Sequence, residues 1–236
     1  MGVSSVPPIP DGRGRGRAPD GRLGPFYDRP VTELALRAFL TLFVVVDPVG
    51  IAPVFIGLAG SRPAPERDRL ARRAVLVAGL VLFGFALFGS WLFERLGISM
   101  DAFRIAGGVL LFRIAVGMVL ATHERETKEE QEESRSRQDV SVFPLAIPLI
   151  AGPGALASMM ILVAQAGSDA GRLLVVFAMA AAVLLLTWLA LRLSTALGRV
   201  LRQTGVNVVT RVLGVLLAAL AVQYVADGVR GLLRAG

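Results

Sequence analysis

The chain has 236 residues, of which 54% are hydrophobic, and it carries a formal net charge of +7. A mean hydropathy of +0.65 is too apolar for a water-soluble domain, which excludes ordinary soluble enzymes and nucleic-acid-binding proteins. The absence of cysteine excludes disulfides, thiolate metal sites and cysteine nucleophiles. The composition indicates an integral membrane protein whose arginines, lying between apolar runs, mark its topology.

The predicted elements begin after a tail, residues 1–30, which is rich in Pro, Gly and Arg and is expected to be disordered. Six apolar runs follow, each long enough to cross a bilayer as a helix. A stretch of Glu, Arg, Gln and Ser, residues 122–141, is expected to be a solvated loop between the third and fourth helices. The six runs are residues 34–58, 74–93, 103–121, 142–165, 173–191 and 208–233.

The arginines between the runs are concentrated in the loops that join helices 1 and 2, 3 and 4, and 5 and 6. Positively charged loops remain in the cytoplasm, so both termini are predicted to lie outside. The arginines of residues 1–30 oppose this orientation. We therefore expect this tail to be an over-extended start rather than a functional part of the protein.

Two stretches from the first three helices recur in the last three. Residues 104–107 (RIAG) at the start of helix 3 resemble residues 211–214 (RVLG) at the start of helix 6. Residues 46–49 (VDPV) of helix 1 correspond to residues 151–154 (AGPG) of helix 4. The shared order predicts two repeats, residues 31–121 and 142–236. Because each repeat has an odd number of helices, the second is predicted to be inverted across the membrane.

Prolines interrupt helices 1 and 4 near their middle. Proline lacks a backbone N–H and disfavours the helical conformation of the preceding residue, so both helices are predicted to break at mid-membrane. Asp47 would then cap a second half-helix that begins at Pro48, and Gly152 with Pro153 repeats this arrangement. The alternative is a pair of kinks without function. Paired breaks at matching depth favour a transporter site.

Three stretches together resemble the MarC family of bacterial inner-membrane proteins. They are residues 43–55 (FVVVDPVGIAPVF), 103–108 (FRIAGG) and 144–154 (PLAIPLIAGPG). The resemblance implies a multi-pass protein of the bacterial plasma (inner) membrane. The family includes transporters of small neutral amino acids and is related in architecture to the LysE-type exporters. Its members vary between Asp and Asn at the position of Asp47, and Arg113 in helix 3 matches none of its motifs.

The function predicted from the breaks and the resemblance is secondary transport, in the direction of export, of small neutral amino acids. The N–H groups of Gly154 and Ala155 at a half-helix start are expected to bind the carboxylate of the zwitterion. Carbonyl groups at the breaks, together with Asp47, are expected to bind its ammonium group. Gln223 of helix 6 is a further candidate, with a hydrogen bond between helices as the alternative. The predicted substrate-binding residues are Asp47, Pro48, Val49, Gly50, Gly152, Pro153, Gly154, Ala155 and Gln223.

Other residues of helices 3 and 6 are expected to act structurally. Their glycines favour close helix packing over ligand contact. Arg113 lies inside an apolar run and is either functional or held by snorkelling or an acidic partner. The predicted structural residues are Arg104, Gly107, Gly108, Arg211 and Gly214.

No apolar run holds the groups that catalysis needs, and the single histidine, His123, falls in the charged loop. An enzyme, a cofactor and a metal site are therefore not expected. The expected partners are the lipid bilayer, a small neutral amino acid and a coupling proton or sodium ion, without nucleic acid. A non-transporting membrane scaffold or an ion channel is the alternative function, although a scaffold has no need of paired breaks.

Overall fold

The computed structural model describes residues 30–60, 62–120 and 141–235, and every regular element among them is helical. Among these residues five helical spans are long and apolar enough to cross a membrane, and a sixth is added if the bent pair α5 and α6 counts as one. The predicted tail and the predicted loop lie outside the described residues, apart from Pro30 and Ser141. The helices are α1 (Val31–Val46), α2 (Pro48–Ala59), α3 (Ala64–Leu96), α4 (Met100–Leu120), α5 (Ser141–Ile150), α6 (Pro153–Ala166), α7 (Ala170–Arg192) and α8 (Ser194–Ala235).

Helices α3 and α8 extend well beyond the apolar runs that predicted them. Helix α3 begins at Ala64 rather than at residue 74, and α8 begins at Ser194 rather than at residue 208. The predicted loop between helices 5 and 6 is therefore wrong, because Arg199 and Arg202 belong to α8 and Arg192 is the last residue of α7. The physical reason is that Arg and Gln are good helix formers in water, so a helix does not end where its apolar run ends.

Buried apolar side chains form two clusters. The larger one joins α1, α2, α3, α5, α6 and α7 and includes Phe55, Leu82 and Met159. The smaller one lies where α1, α4, α6 and α8 meet and includes Leu111 and Ile161. Residues of the smaller cluster line both cavities described below, Met118 in one and Ile161 and Tyr224 in the other.

Large apolar side chains also cover the outside of the bundle. On α3, Leu76, Leu80 and Phe88 are 68%, 75% and 68% exposed. Exposed apolar patches of this kind are unfavourable in water, whereas lipid solvates them without cost. The outer surface thus fits a bilayer, as the helix lengths do.

Helices α4 and α8 pack along their length in opposite directions. Ile105 near the start of α4 lies against Gly228 near the end of α8, and Met118 near the end of α4 lies against Gly214. A Cβ atom would lie 2.7 Å from the Ile105 Cγ1 atom at Gly228, and 2.8 Å from the Met118 Cβ atom at Gly214. These glycines let the two backbones approach closely, as small residues do between membrane helices.

Candidate functional site

The first helix break consists of one residue. Helix α1 ends at Val46 and α2 begins at Pro48, so Asp47 alone joins them. Asp47 has φ 46° and ψ 67°, a left-handed conformation that Asp tolerates better than most residues. Pro48 suits the first position of α2, because an N–H group there would have no partner within the helix.

The Asp47 carboxylate closes the first turn of α2. It is buried and accepts a hydrogen bond from the Gly50 N–H at 3.0 Å and from the Thr210 hydroxyl of α8 at 3.4 Å. A Cβ atom on Gly50 would fall on this carboxylate, so the close approach requires glycine at that position. The positive end of α2 is therefore occupied by a carboxylate of the protein itself.

The second break has a different geometry. Phe143 (φ −128°, ψ 127°) and Ile147 (φ −131°, ψ 124°) are extended because each precedes a proline, which makes α5 irregular. Helix α5 ends at Ile150, and α6 begins at Pro153 with its axis bent by 54° from that of α5. Gly152 has the extended φ of −76° and ψ of 173°, and no described side chain caps α6.

The backbone itself excludes a capping side chain at this second break. A Cβ atom on Gly152 would collide with the Pro148 carbonyl oxygen. Because glycine has no side chain to bond the first N–H groups of α6, those of Gly154 and Ala155 are left to another partner. The second break therefore presents an open helix N-terminus.

A cavity of about 690 Å³, which we call the break cavity, lies against this N-terminus. Its size is typical of sites for small molecules. The second half of α4, with Arg113 and Ile114, and Val45 at the end of α1 line it. Four predicted site residues share its remaining wall with the end of α5; they are Gly152, Pro153, Gly154 and Ala155.

Gly154 in this wall is crowded by side chains of α4 and α1. A Cβ atom there would lie 2.9 Å from Leu111 Cδ2, 3.0 Å from Ile114 Cδ1 and 3.4 Å from Val45 Cγ1. Val45 precedes Asp47 by two residues, so the first break adjoins the second. A larger residue at position 154 would have to displace α4 or project into the cavity.

The break cavity is electropositive. Arg113 contributes a guanidinium group, and the N-terminus of α6 contributes the positive end of a helix dipole. None of the described residues that line the cavity is Asp or Glu. The arrangement suits an anionic group such as a carboxylate.

The other predicted site residues lie elsewhere. Pro48, Val49 and Gly50 form the first turn of α2 and do not line the break cavity. Gln223 is exposed on α8, where its amide donates a hydrogen bond of 2.8 Å to Asp227 of the same helix. Asp47 and Gln223 are thus not among the residues that line the break cavity.

The residues predicted to be structural also have defined positions. Arg104 forms an ion pair of 2.7 Å with Asp101, and Arg211 is exposed on α8. Gly107 faces α6, while Gly108 and Gly214 face the opposite helix of the α4 and α8 pair. Arg113 lines the break cavity, although the sequence analysis did not place it at the binding site. The signal that could have placed it there is its charge within an apolar run.

Known proteins resemble this chain over most of its length. The model of the family described as "MarC family integral membrane protein" matches residues 32–233. The UPF0056 membrane protein YhcE of Escherichia coli (strain K12) is 37% identical over 209 residues, which cover 88% of this chain and 95% of that protein.

Two further relatives are similar to the same extent. The UPF0056 membrane protein YvbG of Bacillus subtilis is 36% identical over 201 residues, covering 84% of this chain and 94% of that protein. A UPF0056 membrane protein of Archaeoglobus fulgidus is 38% identical over 192 residues, covering 81% and 90%. No solved structure matches the chain. The family match and these relatives confirm the resemblance to the MarC family that the sequence motifs predicted.

Proposed function

The chain belongs to the MarC family of integral membrane proteins, and on this premise we propose that it is a secondary transporter that exports small neutral amino acids across the bacterial plasma membrane. The observation that carries the proposal is the open N-terminus of α6 at the break cavity. At the first break the same place is taken by the Asp47 carboxylate. A substrate carboxylate at the N–H groups of Gly154 and Ala155 would complete the second break in the same way.

The same cavity offers groups for the ammonium end of a zwitterion. Pro148, Leu149 and Ile150 line it where α5 ends, and carbonyl groups at a broken helix end are suitable ligands for a cation. They share this cavity with Gly154, and the Pro148 carbonyl oxygen lies at the Cβ position of Gly152, so the two kinds of group are close in space, as the binding of an α-amino acid requires. The crowding of Gly154 by Leu111 and Ile114 favours a substrate with a small side chain.

An inverted repeat is supported by the contacts between α4 and α8. Gly108 and Gly214 each face an alanine carbonyl oxygen and a valine methyl group of the opposite helix. The partners are Ala221 and Val225 for Gly108, and Ala115 and Val119 for Gly214. The contacts become equivalent if the two halves are exchanged. These contacts make Gly108 the counterpart of Gly214. The sequence match between residues 104–107 and 211–214 instead pairs Gly107 with Gly214, so the two alignments differ by one residue.

The other helix contacts follow the same exchange. Helix α1 packs on α7 and α5 packs on α3; α2 packs on α8 and α6 packs on α4; α2 packs on α7 and α6 packs on α3. If the first three predicted spans are exchanged for the last three, the first contact of each pair turns into the second. Together with the antiparallel α4 and α8, this supports breaks at matching depth near mid-membrane and termini on one side, which we propose is the outside.

Flux of radiolabelled L-alanine from proteoliposomes tests the proposal. We expect flux well above that of empty liposomes, and a reduction of roughly tenfold or more in Arg113→Gln because a charge-assisted contact to the carboxylate is lost. Arg95→Gln is the matched control, since Arg95 lies over the Trp91 ring, 5.7 Å from its centroid, and does not line the break cavity. Equal flux from protein-containing and empty liposomes would contradict transport.

An anion channel is the second candidate function. It is favoured by Arg113 and the α6 N-terminus, which are both positive, and by a cavity whose described lining residues include no acid. Propionate and chloride flux in the same liposomes separates the two. A channel passes these anions down their gradients without alanine selectivity, whereas the proposed transporter prefers alanine. A scaffold moves none of them.

A further inference from the structure

A second cavity, of about 340 Å³, lies where the start of α4, the end of α6 and the end of α8 meet. We call it the charged cavity because side chains of both charges line it. Its charged lining residues are Asp101, Arg104, Asp227, Arg230 and Arg234. It lies at the opposite end of α4 and α6 from the break cavity, whose described lining has only positive charge.

We propose that the charged cavity is a second binding site for α-amino acids in their zwitterionic form. The inference rests on the proposed function, because it places a second site for the same substrate class in the same bundle. It concerns different residues, so the two can fail separately.

The charged side chains are arranged in one short ion pair and one long one. Arg104 and Asp101 are 2.7 Å apart, so their charges are satisfied by each other. Arg230 and Asp227 are 3.7 Å apart, which is too long for a hydrogen bond. A zwitterion lying alongside this pair can place its carboxylate at Arg230, whose side chain is 67% exposed, and its ammonium group at Asp227.

A third guanidinium strengthens the carboxylate end of this arrangement. Arg234 lies one helical turn beyond Arg230 on α8 and lines the same cavity. The Asp227 carboxylate is already oriented by the Gln223 amide, which donates to it at 2.8 Å. Opposite charges held within one small space recognise a ligand that carries both better than a ligand that carries one.

The remaining walls limit the size of the ligand. Tyr224 is buried at the cavity and its hydroxyl hydrogen-bonds the Thr41 side chain. Gly231 brings α8 so close to α4 that the Asp101 carboxylate lies where a Cβ atom would be. Ile161 is the apolar lining residue. Such a site suits an amino acid with a short, uncharged side chain.

The two cavities lie along one side of the contact between α4 and α6. Ala155 lines one and Ile161 the other, about 9 Å apart along α6 at the rise of an α-helix. Between them a Cβ atom on Gly107 would be 2.9 Å from the Ala157 Cβ atom. The Ser158 hydroxyl on this turn is buried without a hydrogen-bond partner among the described residues. Helices α4 and α6 are thus in close contact between the two cavities.

Isothermal titration of the purified full-length protein in detergent tests the second site. The probes are L-alanine, propionate as the anion alone and L-alaninamide as the cation alone. Gly154→Val overpacks the wall of the break cavity at the start of α6, and Arg113→Gln removes the guanidinium of that cavity without added volume. In both backgrounds we expect alanine to bind still, with propionate and alaninamide roughly tenfold weaker or more. Adding Asp227→Asn should weaken alanine by a similar factor, whereas adding Arg95→Gln should not.

The outcomes separate the two proposals. If Gly154→Val and Arg113→Gln each lose all the alanine binding of the wild type, the second site is contradicted and the proposed function stands. Binding that ignores both of these changes and is lost in Asp227→Asn supports the charged cavity and contradicts the break cavity. Propionate binding as tightly as alanine in the Gly154→Val background contradicts zwitterion recognition. Absence of alanine binding to the wild type contradicts both proposals.

Discussion

The two helix breaks present the same feature, the N-terminus of a helix, with opposite occupancy. At the first, the Asp47 carboxylate bonds the Gly50 N–H, and no cavity is needed. At the second, Gly152 leaves the N-terminus of α6 without a side-chain cap, and the break cavity lies beside it. The difference follows from one steric fact, because the Pro148 carbonyl excludes a Cβ atom at position 152. A permanent anion site, occupied by Asp47, and an uncapped helix start are thus built on the same plan.

The permanent site explains how Asp47 is tolerated. A charged Asp at mid-bilayer costs about 2.5 to 3.5 kcal/mol on insertion scales, whereas a helix N-terminus returns roughly 0.3 to 2 kcal/mol. The Gly50 N–H and the Thr210 hydroxyl contribute further stabilisation. These contacts require no ligand, so we propose a structural role for the first break and a binding role for the second.

The largest effect is expected from a larger side chain at the uncapped start of α6. Gly154→Val places methyl groups against Leu111 and Ile114, whose atoms already lie 2.9 and 3.0 Å from a Cβ position there. Alanine flux in proteoliposomes should fall to the level of empty liposomes. Gly84→Val is the control, since a Cβ atom there meets nothing within 4 Å. Normal flux in Gly154→Val would remove α6 from the substrate site.

Disturbing the filled site should lower stability. Gly50→Ala forces the Asp47 carboxylate away from its position, and overpacking of this kind costs about 1 to 3 kcal/mol. Thermal melting in detergent should show a lower midpoint. Gly57→Ala in the same helix has open space around its Cβ position and should be neutral or stabilising by up to about 1 kcal/mol. Equal midpoints for both variants would mean that the Asp47 cap is loosely held.

Removing the cap itself should have a smaller effect. Asp47→Ala loses a helix cap worth about 0.5 to 2 kcal/mol, so both the melting midpoint and the alanine flux should decrease. Asp47→Asn keeps a side-chain oxygen for the Gly50 N–H and should insert normally with part of the flux retained. If Asp47→Ala melts and transports like the wild type, neither capping nor charge matters at the first break.

The smallest effect is expected from the contact between Asp47 and α8. Thr210→Val keeps the shape but removes a hydrogen bond that is long, at 3.4 Å, so we expect a loss of about 0.5 to 1 kcal/mol. Thr187→Val is the control, because the Thr187 hydroxyl bonds the Val183 carbonyl of its own helix. Flux should decrease in Thr210→Val alone. A larger decrease in Thr187→Val would argue against coupling between the first break and α8.

The local chemistry of the breaks can be derived from the sequence. A proline excludes helical conformation before it, and an acidic residue followed by proline is a helix start, so the turn at Asp47 depends on neighbours in the chain. The same holds for the end of α5 before Pro153. Membrane spans follow from apolar length alone. These features need no knowledge of tertiary packing.

Other features depend on packing and could not be derived in this way. Arg113 lines the break cavity only because α4 turns that face toward α6. Gln223 was a candidate because it is polar within an apolar run, yet α8 turns it outward to bond Asp227. The start of α8 at Ser194 was missed because polar residues continue a helix beyond the bilayer. The charged cavity combines residues of three helices that are distant in the chain.

The most direct test of the difference between the breaks is the backbone amide signal of each one. If the glycine residues are selectively labelled with the NMR-active nitrogen isotope, the amide resonances of Gly154 and Gly50 can be followed as L-alanine is added. We expect the Gly154 resonance to move downfield in a saturable manner, because its N–H binds the substrate carboxylate, while the Gly50 resonance stays in place because Asp47 holds it. A Gly50 resonance that moves while that of Gly154 does not would contradict the proposed binding site at the start of α6.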